Sequence, residues 1–312
     1  MPAAGRAADT SPATRIVGRG TGASCTSAAV LAAVRSGGTI RFSCGPDPVT
    51  IAMSATAKVM NTSARVVLDG GGLVTLSGAG RHRILYMDTC DPAQVWTTSH
   101  CQDQASPELV IENMAFIDGN SNGERFDGGG GGAVFDRGGR LRIVNSVFSA
   151  NRCESHGPDI GGGAVRALSQ YHGLPVHVVH SRFSGNVCSN GGALSSIGVS
   201  WTVRNSRFSA NRAIGAGANP AQPGTPGGGS GGAIYNDGNQ MMLTIKGSRF
   251  VDNHANEGGG AIFFVSDDRT GTMAISHSTL ERNRNDRFHT AGLPGIYFLG
   301  ARAPTIAQSV LR

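Results

Sequence analysis

Residues 131–151 read GGAVFDRGGRLRIVNSVFSAN, and the same pattern returns four more times along the chain. Each copy opens on Gly-Gly-Ala and an aliphatic residue, at Val134, Val165, Leu194, Ile234 and Ile262. Each closes on Phe-x-x-Asn: Phe148 with Asn151, Phe183 with Asn186, Phe208 with Asn211 and Phe250 with Asn253, with Leu280 and Asn283 as a worn fifth copy. Glu108 to Asn120 adds one more apolar run, ending in Phe116 and Asn120. Successive Phe positions, counting Leu280, lie 32, 35, 25, 42 and 30 residues apart. A unit of about 25 residues with insertions falls in the range of solenoid repeats.

Runs such as Leu141, Ile143 and Asn145, or Trp201, Val203 and Asn205, alternate with a period of two, so the unit is built of strands. Gly pairs and Asn residues between the runs supply positive-φ corners. Three short strands per unit without hairpin turns describe one coil of a parallel β-helix, in which each coil pairs only with its neighbours. The expected fold is therefore all-β, a single-stranded right-handed parallel β-helix of about eight coils. Its Phe residues should stack as an internal column, and its Asn residues should bond from coil to coil as a ladder.

Phe-x-x-Asn paired with Gly-Gly-Ala-Ile/Leu/Val resembles the repeat motif of polymorphic outer membrane proteins of the chlamydial type, which are β-helical passengers. Over roughly residues 16 to 312 the chain is similar more broadly to the pectate-lyase-like right-handed parallel β-helix superfamily. The resemblance implies acidic polysaccharides as ligands, Arg or Lys as base and calcium held by Asp. The catalytic residues do not carry over. Asp267-Asp268 is the only Asp pair and no Asp-x-Asp-x-Asp run occurs, so calcium enters through the resemblance alone and no cofactor is expected.

Charged residues make up only 15% of the chain and Gly contributes 47 of 312, which suits a stack of tight corners. We divide it into a disordered tail over 1–14 and one β-helix domain over 15–312. A helical cap at about 25–36 would be closed by Gly37-Gly38. Six cysteines without Cys-x-x-Cys or clustered His favour disulfides over zinc, hence export to an extracellular or cell-surface location. Cys153 and Cys188 each follow their repeat Phe by five residues, which places them side by side on adjacent coils. Cys25 with Cys44 would clip the cap, and Cys90 with Cys101 would close a loop. No apolar run approaches the ~18 residues that span a membrane. The last coil is half finished, which leaves it to pair with another subunit or a further segment.

Outward positions ahead of the repeat Phe carry Glu112, Arg142, His177, Arg204 and Lys246, and Arg182, Arg207 and Arg249 stand immediately before it. A cationic row on a protein of net charge +6 reads as a track for an extended polyanion. Nucleic acid is disfavoured, because the interleaved aromatics of a single-strand binder are missing. Asp136 with Arg137, Tyr235 with Asp237, and Asp267 with Asp268 and Arg269 share the corner after the Gly-Gly-Ala strand and are the residues available for acid–base chemistry. The expected function is a secreted protein that binds an acidic polysaccharide or cell-surface glycan along its basic face, and cleaves it in the enzyme reading. The alternative is a non-catalytic adhesin or structural passenger-like protein.

Overall fold

A computed structural model describes residues 5–124, 128–218 and 221–312. One coil shows the construction. Leu194–Ile197 lies in a second sheet, Trp201–Arg204 and Arg207–Ser209 in a first, and Arg212–Ala213 in a third. Ile234–Gly238 then pairs directly on Leu194–Ile197, one coil further on. Among the described residues the three sheets hold seventeen, eight and four strands, and the strand pairings are parallel. The chain is thus all-β, a stack of parallel coils of the solenoid kind.

Between the two facets of the first sheet the chain turns through one left-handed residue per coil: Asn145 (φ 46°), His180 (51°), Asn205 (48°), Gly247 (63°) and His277 (50°). Gly adopts this conformation freely and Asn and His more readily than most other residues, which is why the corner recurs on these three types. The next residue is a buried Ser: 146, 181, 206, 248 and 278. Ser181, Ser206, Ser248 and Ser278 each accept at Oγ the backbone N–H of the Ser one coil earlier, at 3.1 Å between Ser146 and Ser181 and again between Ser181 and Ser206. Each also donates Oγ–H to the carbonyl two residues back, as Ser181 does to Val179 at 2.9 Å.

Inside, Phe116, Phe148, Phe183, Phe208 and Phe250 stack with centroids 5.0, 4.9, 4.8 and 4.5 Å apart. Val134, Val165, Leu194, Ile234, Ile262 and Ile296 form the facing column of the core. At the next corner Asn151, Asn186, Asn211 and Asn253 each donate Nδ2–H to Oδ1 of the following Asn, at 2.9, 2.9, 2.9 and 2.8 Å, ending on Asn283. Asn120 is not a rung. It sits one residue late, donates to the Gly80 carbonyl, and leaves Gly119 N–H to bond Asn151 Oδ1 at 2.8 Å.

The three disulfides are Cys25–Cys44, Cys90–Cys101 and Cys153–Cys188, with Cα atoms 5.6, 5.0 and 4.8 Å apart. Helix α1, Ser27–Ser36, begins at Thr26, whose side chain accepts from Ala29 N, and ends at Gly37 with φ 68°. Its buried Val30, Ala33 and Val34 pack toward the strands Arg15–Val17 and Ala57–Lys58. Ahead of it, Ala8 N–H donates to Glu112 at 2.7 Å and the Thr10 hydroxyl to Asp69 at 2.8 Å.

Candidate functional site

Arg182, Arg207 and Arg249 fall in register on three consecutive strands. They flank a groove of about 860 Å³ that crosses four coils and is also lined by Asn145, His180, Asn205, Ser184 and Ser209. The local sequence explains the placement. Phe points into the core, so the residue before it must point out, and the Ser before that is fixed in the corner ladder. Arginines are therefore delivered at strand spacing, about 4.8 Å, to the mouth of the corner. Arg249 is ion-paired with Glu281, which also receives Arg312 at 3.1 Å. Arg182 and Arg207 make no such ion pair among the described residues, although Asp252 senses the Arg207 charge.

The other expected cations do not form one row. Arg142 is opposite His177, which is opposite Thr202; Arg204 is opposite Lys246, in a column that runs back through Val179 and Val144 to Glu112. The two columns are offset by two residues along the strand. Arg142 is also engaged, with Nη2 3.1 Å from Glu108. His177 is half-buried, and burial together with the nearby Arg142 and Arg204 lowers its pKa. Glu112 is 1% exposed under the Ala8 segment, and its pKa is raised by burial.

The acid–base candidates separate too. Asp136 faces inward and is fully buried, with Oδ2 accepting from Gln170 Nε2 at 2.5 Å. Burial drives its pKa well above the ordinary carboxylate value. It cannot meet a substrate on the outer face, because strand side chains alternate and its neighbour Phe135 takes the outward position. Asp268 is a turn former. It accepts from Ser266, from the Thr270 N–H and from the Thr270 hydroxyl, and Arg269 beside it has φ 60°. Tyr235 and Asp237 do come together, with Tyr235 Oη donating to Asp237 Oδ2 at 2.8 Å. Asp237, Asp267 and Asp159 line a cleft of about 330 Å³.

Four ionisable residues on this second face were not anticipated: Arg83, Glu154, Asp159 and Arg166. Arg83 is 1% exposed, donates to Glu124, Gly130 and Gly131, and lies over the rings of Tyr86 and Phe135. Arg166 is 2% exposed, and burial lowers its pKa to about 10. The signal for Arg166 was present in the repeat: it follows Gly-Gly-Ala-Val, where other copies carry Phe135, Ser195, Tyr235 and Phe263. Among the described residues no group of three or more His, Cys, Asp or Glu is placed to hold a metal ion, and no helix is long and apolar enough to cross a membrane.

Comparison with family models, with curated proteins and with solved structures gave no match.

Proposed function

We propose that the protein binds an extracellular anionic glycan along the arginine groove of its first sheet. The observation that carries the reading is the in-register column Arg182–Arg207–Arg249 bordering a groove across four coils. Cations repeated at strand spacing match a polymer whose charges repeat along its length, and hydroxyl and amide groups from Ser184, Ser209, Asn145 and Asn205 offer hydrogen bonds to its sugars. On the same reading the solenoid is a right-handed β-helix of the pectate-lyase-like kind, with α1 capping its first coil. The protein is exported, as three disulfides favour. Binding without cleavage, as in an adhesin, is the form we favour, because Asp136 and Asp268 are committed to core and turn.

The test is retention on immobilised polygalacturonate at low ionic strength. The double variant Arg182→Gln/Arg207→Gln should elute in the void with a thermal midpoint no lower than the parent's. Retention equal to the parent's would refute the groove.

A further inference from the structure

The outer face of the second sheet carries one column in register: Tyr86, Phe135, Arg166, Ser195, Tyr235, Phe263 and Tyr297. Its aromatic rungs stack on one another, Tyr86 on Phe135 at 5.4 Å and Tyr235 on Phe263 at 4.9 Å. Arg166 and Ser195 interrupt the stack. They are 2% and 1% exposed, and Arg166 Nε, Arg166 Nη1 and Ser195 Oγ have no hydrogen-bond partner among the described residues. Arg83 nearby shows how this protein buries a guanidinium for structure, with Nε, Nη1 and Nη2 all donating.

Arg166 lies behind Gly128, which with Glu154, His156, Pro158, Asp159 and Ile160 lines a cleft of about 690 Å³. Glu154 and Asp159 both act on its charge. A Cβ on Gly128 would stand 3.5 Å from Nη2, so the residue between the guanidinium and the cleft at this point contributes no side chain. Glu154 is 9% exposed; Oε1 accepts from Gly123 N–H at 3.2 Å, and Oε2 is buried with no partner. Unmatched donors on Arg166 thus lie near an unmatched acceptor on Glu154. Leaving such groups unpaired costs stability, whereas an apolar side chain of the same volume would not.

We propose that this cleft is a second ligand site, for an uncharged sugar residue bound through its hydroxyls. A hydroxyl accepts from Arg166 and donates to Glu154 at once, which neither an anion nor a cation does. Glu154 and Asp159 in its walls outnumber the Arg166 charge behind them, so the cleft has no positive excess to draw an anion, unlike the arginine groove. Pro158 and Ile160 supply an apolar wall for a sugar's C–H face, and the volume holds a few sugar units. Entry to the guanidinium requires the backbone at Gly128 and Gly130, both at positive φ, to shift.

The test is an array of neutral hexose and pentose tetrasaccharides, with uronate and sulfated oligomers alongside, read in 1 M NaCl, where the screening length falls to about 3 Å and groove binding fades. At least one neutral oligosaccharide should bind there, equally to the parent and to Arg182→Gln/Arg207→Gln. Its affinity should fall tenfold or more in Arg166→Met and in Glu154→Gln. The thermal midpoint of Arg166→Met should equal or exceed the parent's, which a structural arginine would not allow. The proposal is overturned if no neutral oligosaccharide binds at any salt, or if binding survives both cleft substitutions. Anionic binding at low salt that depends on Arg182 and Arg207 tests the groove separately.

Discussion

Replacing Asn211 by Leu tests whether the asparagine ladder is a structural spine. Asn211 is fully buried. Its Oδ1 accepts from Asn186 N–H at 3.1 Å and from Asn186 Nδ2 at 2.9 Å, and its Nδ2 donates to Asn253 Oδ1 at 2.9 Å and to the Phe183 carbonyl at 3.0 Å. Leu keeps the branching and the number of side-chain heavy atoms and removes all four bonds. Asn186 N–H loses its ladder acceptor, which costs about 1–3 kcal/mol for a buried donor. Asn186 Nδ2 keeps the Phe148 carbonyl and Asn253 Oδ1 keeps the Asn211 N–H, so their losses are nearer about 1 kcal/mol each. Burying the added methyl carbons returns about 1–2 kcal/mol. The net expectation is a loss of about 3 kcal/mol, read from urea unfolding followed by circular dichroism. Asn283→Leu, at the half-buried end rung, should cost clearly less. A loss under about 0.5 kcal/mol for Asn211→Leu, or an equal loss at both rungs, would refute the argument.

Phe208→Ala removes a ring stacked on both sides, on Phe183 and Phe250, and should cost about 3–5 kcal/mol in the same assay. Joint replacement of Cys153 and Cys188 by Ala frees a link with a sequence separation of 35 and should lower stability by about 3–4 kcal/mol; non-reducing peptide mapping of the parent should recover this pair, and free thiols in exported protein would remove the case for an oxidising compartment. Asp136 has a folded pKa raised by burial, so the folded state holds its proton more tightly than the unfolded chain and charge at this site opposes folding at neutral pH. Asp136→Asn should therefore stabilise the protein at pH 7, with the advantage shrinking as pH falls toward the unfolded carboxylate value near about 4; a constant difference across that range in pH-dependent unfolding would contradict it.

The coil was legible because its two strongest signals, Phe-x-x-Asn and Gly-Gly-Ala, sit on either side of the variable insertions and are not shifted by them. The Ser ladder was equally periodic, two residues before each Phe or Leu280, but Ser at a corner passes for ordinary turn composition. The outward cations were pooled by direction alone. Counting back from Phe separates them: six residues for Arg142 and His177, four for Glu112, Arg204 and Lys246, which is the offset between the two columns. Burial of Asp136, Arg83 and Arg166 was not readable in this way. It depends on Gly-rich insertions folding back over the second sheet, and their path has no period. Gly157 N–H, for instance, bonds the Gly227 carbonyl from a separate insertion.

The arginine column also makes a prediction that separates surface charge from a maintained binding track. Arg207 stands between Arg182 and Arg249 on neighbouring strands. Like charges directly opposite one another destabilise a sheet by roughly 0.2–1 kcal/mol. The Arg249 end is offset by direct ion pairing, because Arg249 and Arg312 together hold the Glu281 carboxyl below its usual pKa, whereas Arg207 has only the longer-range charge of Asp252, which is itself paired with Arg282. Arg207→Gln should therefore raise the thermal midpoint slightly at low salt, and the gain should vanish near 1 M NaCl, where the screening length is about 3 Å. Arg249→Gln should do the opposite, because it strips a partner from Glu281 while relieving only one repulsion. That loss should fade as pH drops below the unfolded glutamate range, since a carboxyl with a depressed folded pKa contributes its stability only above that range. Equal and salt-independent midpoints for both variants would mean that the side chains splay into solvent without sensing one another. The groove would then lose the electrostatic coherence on which a polyanion track depends.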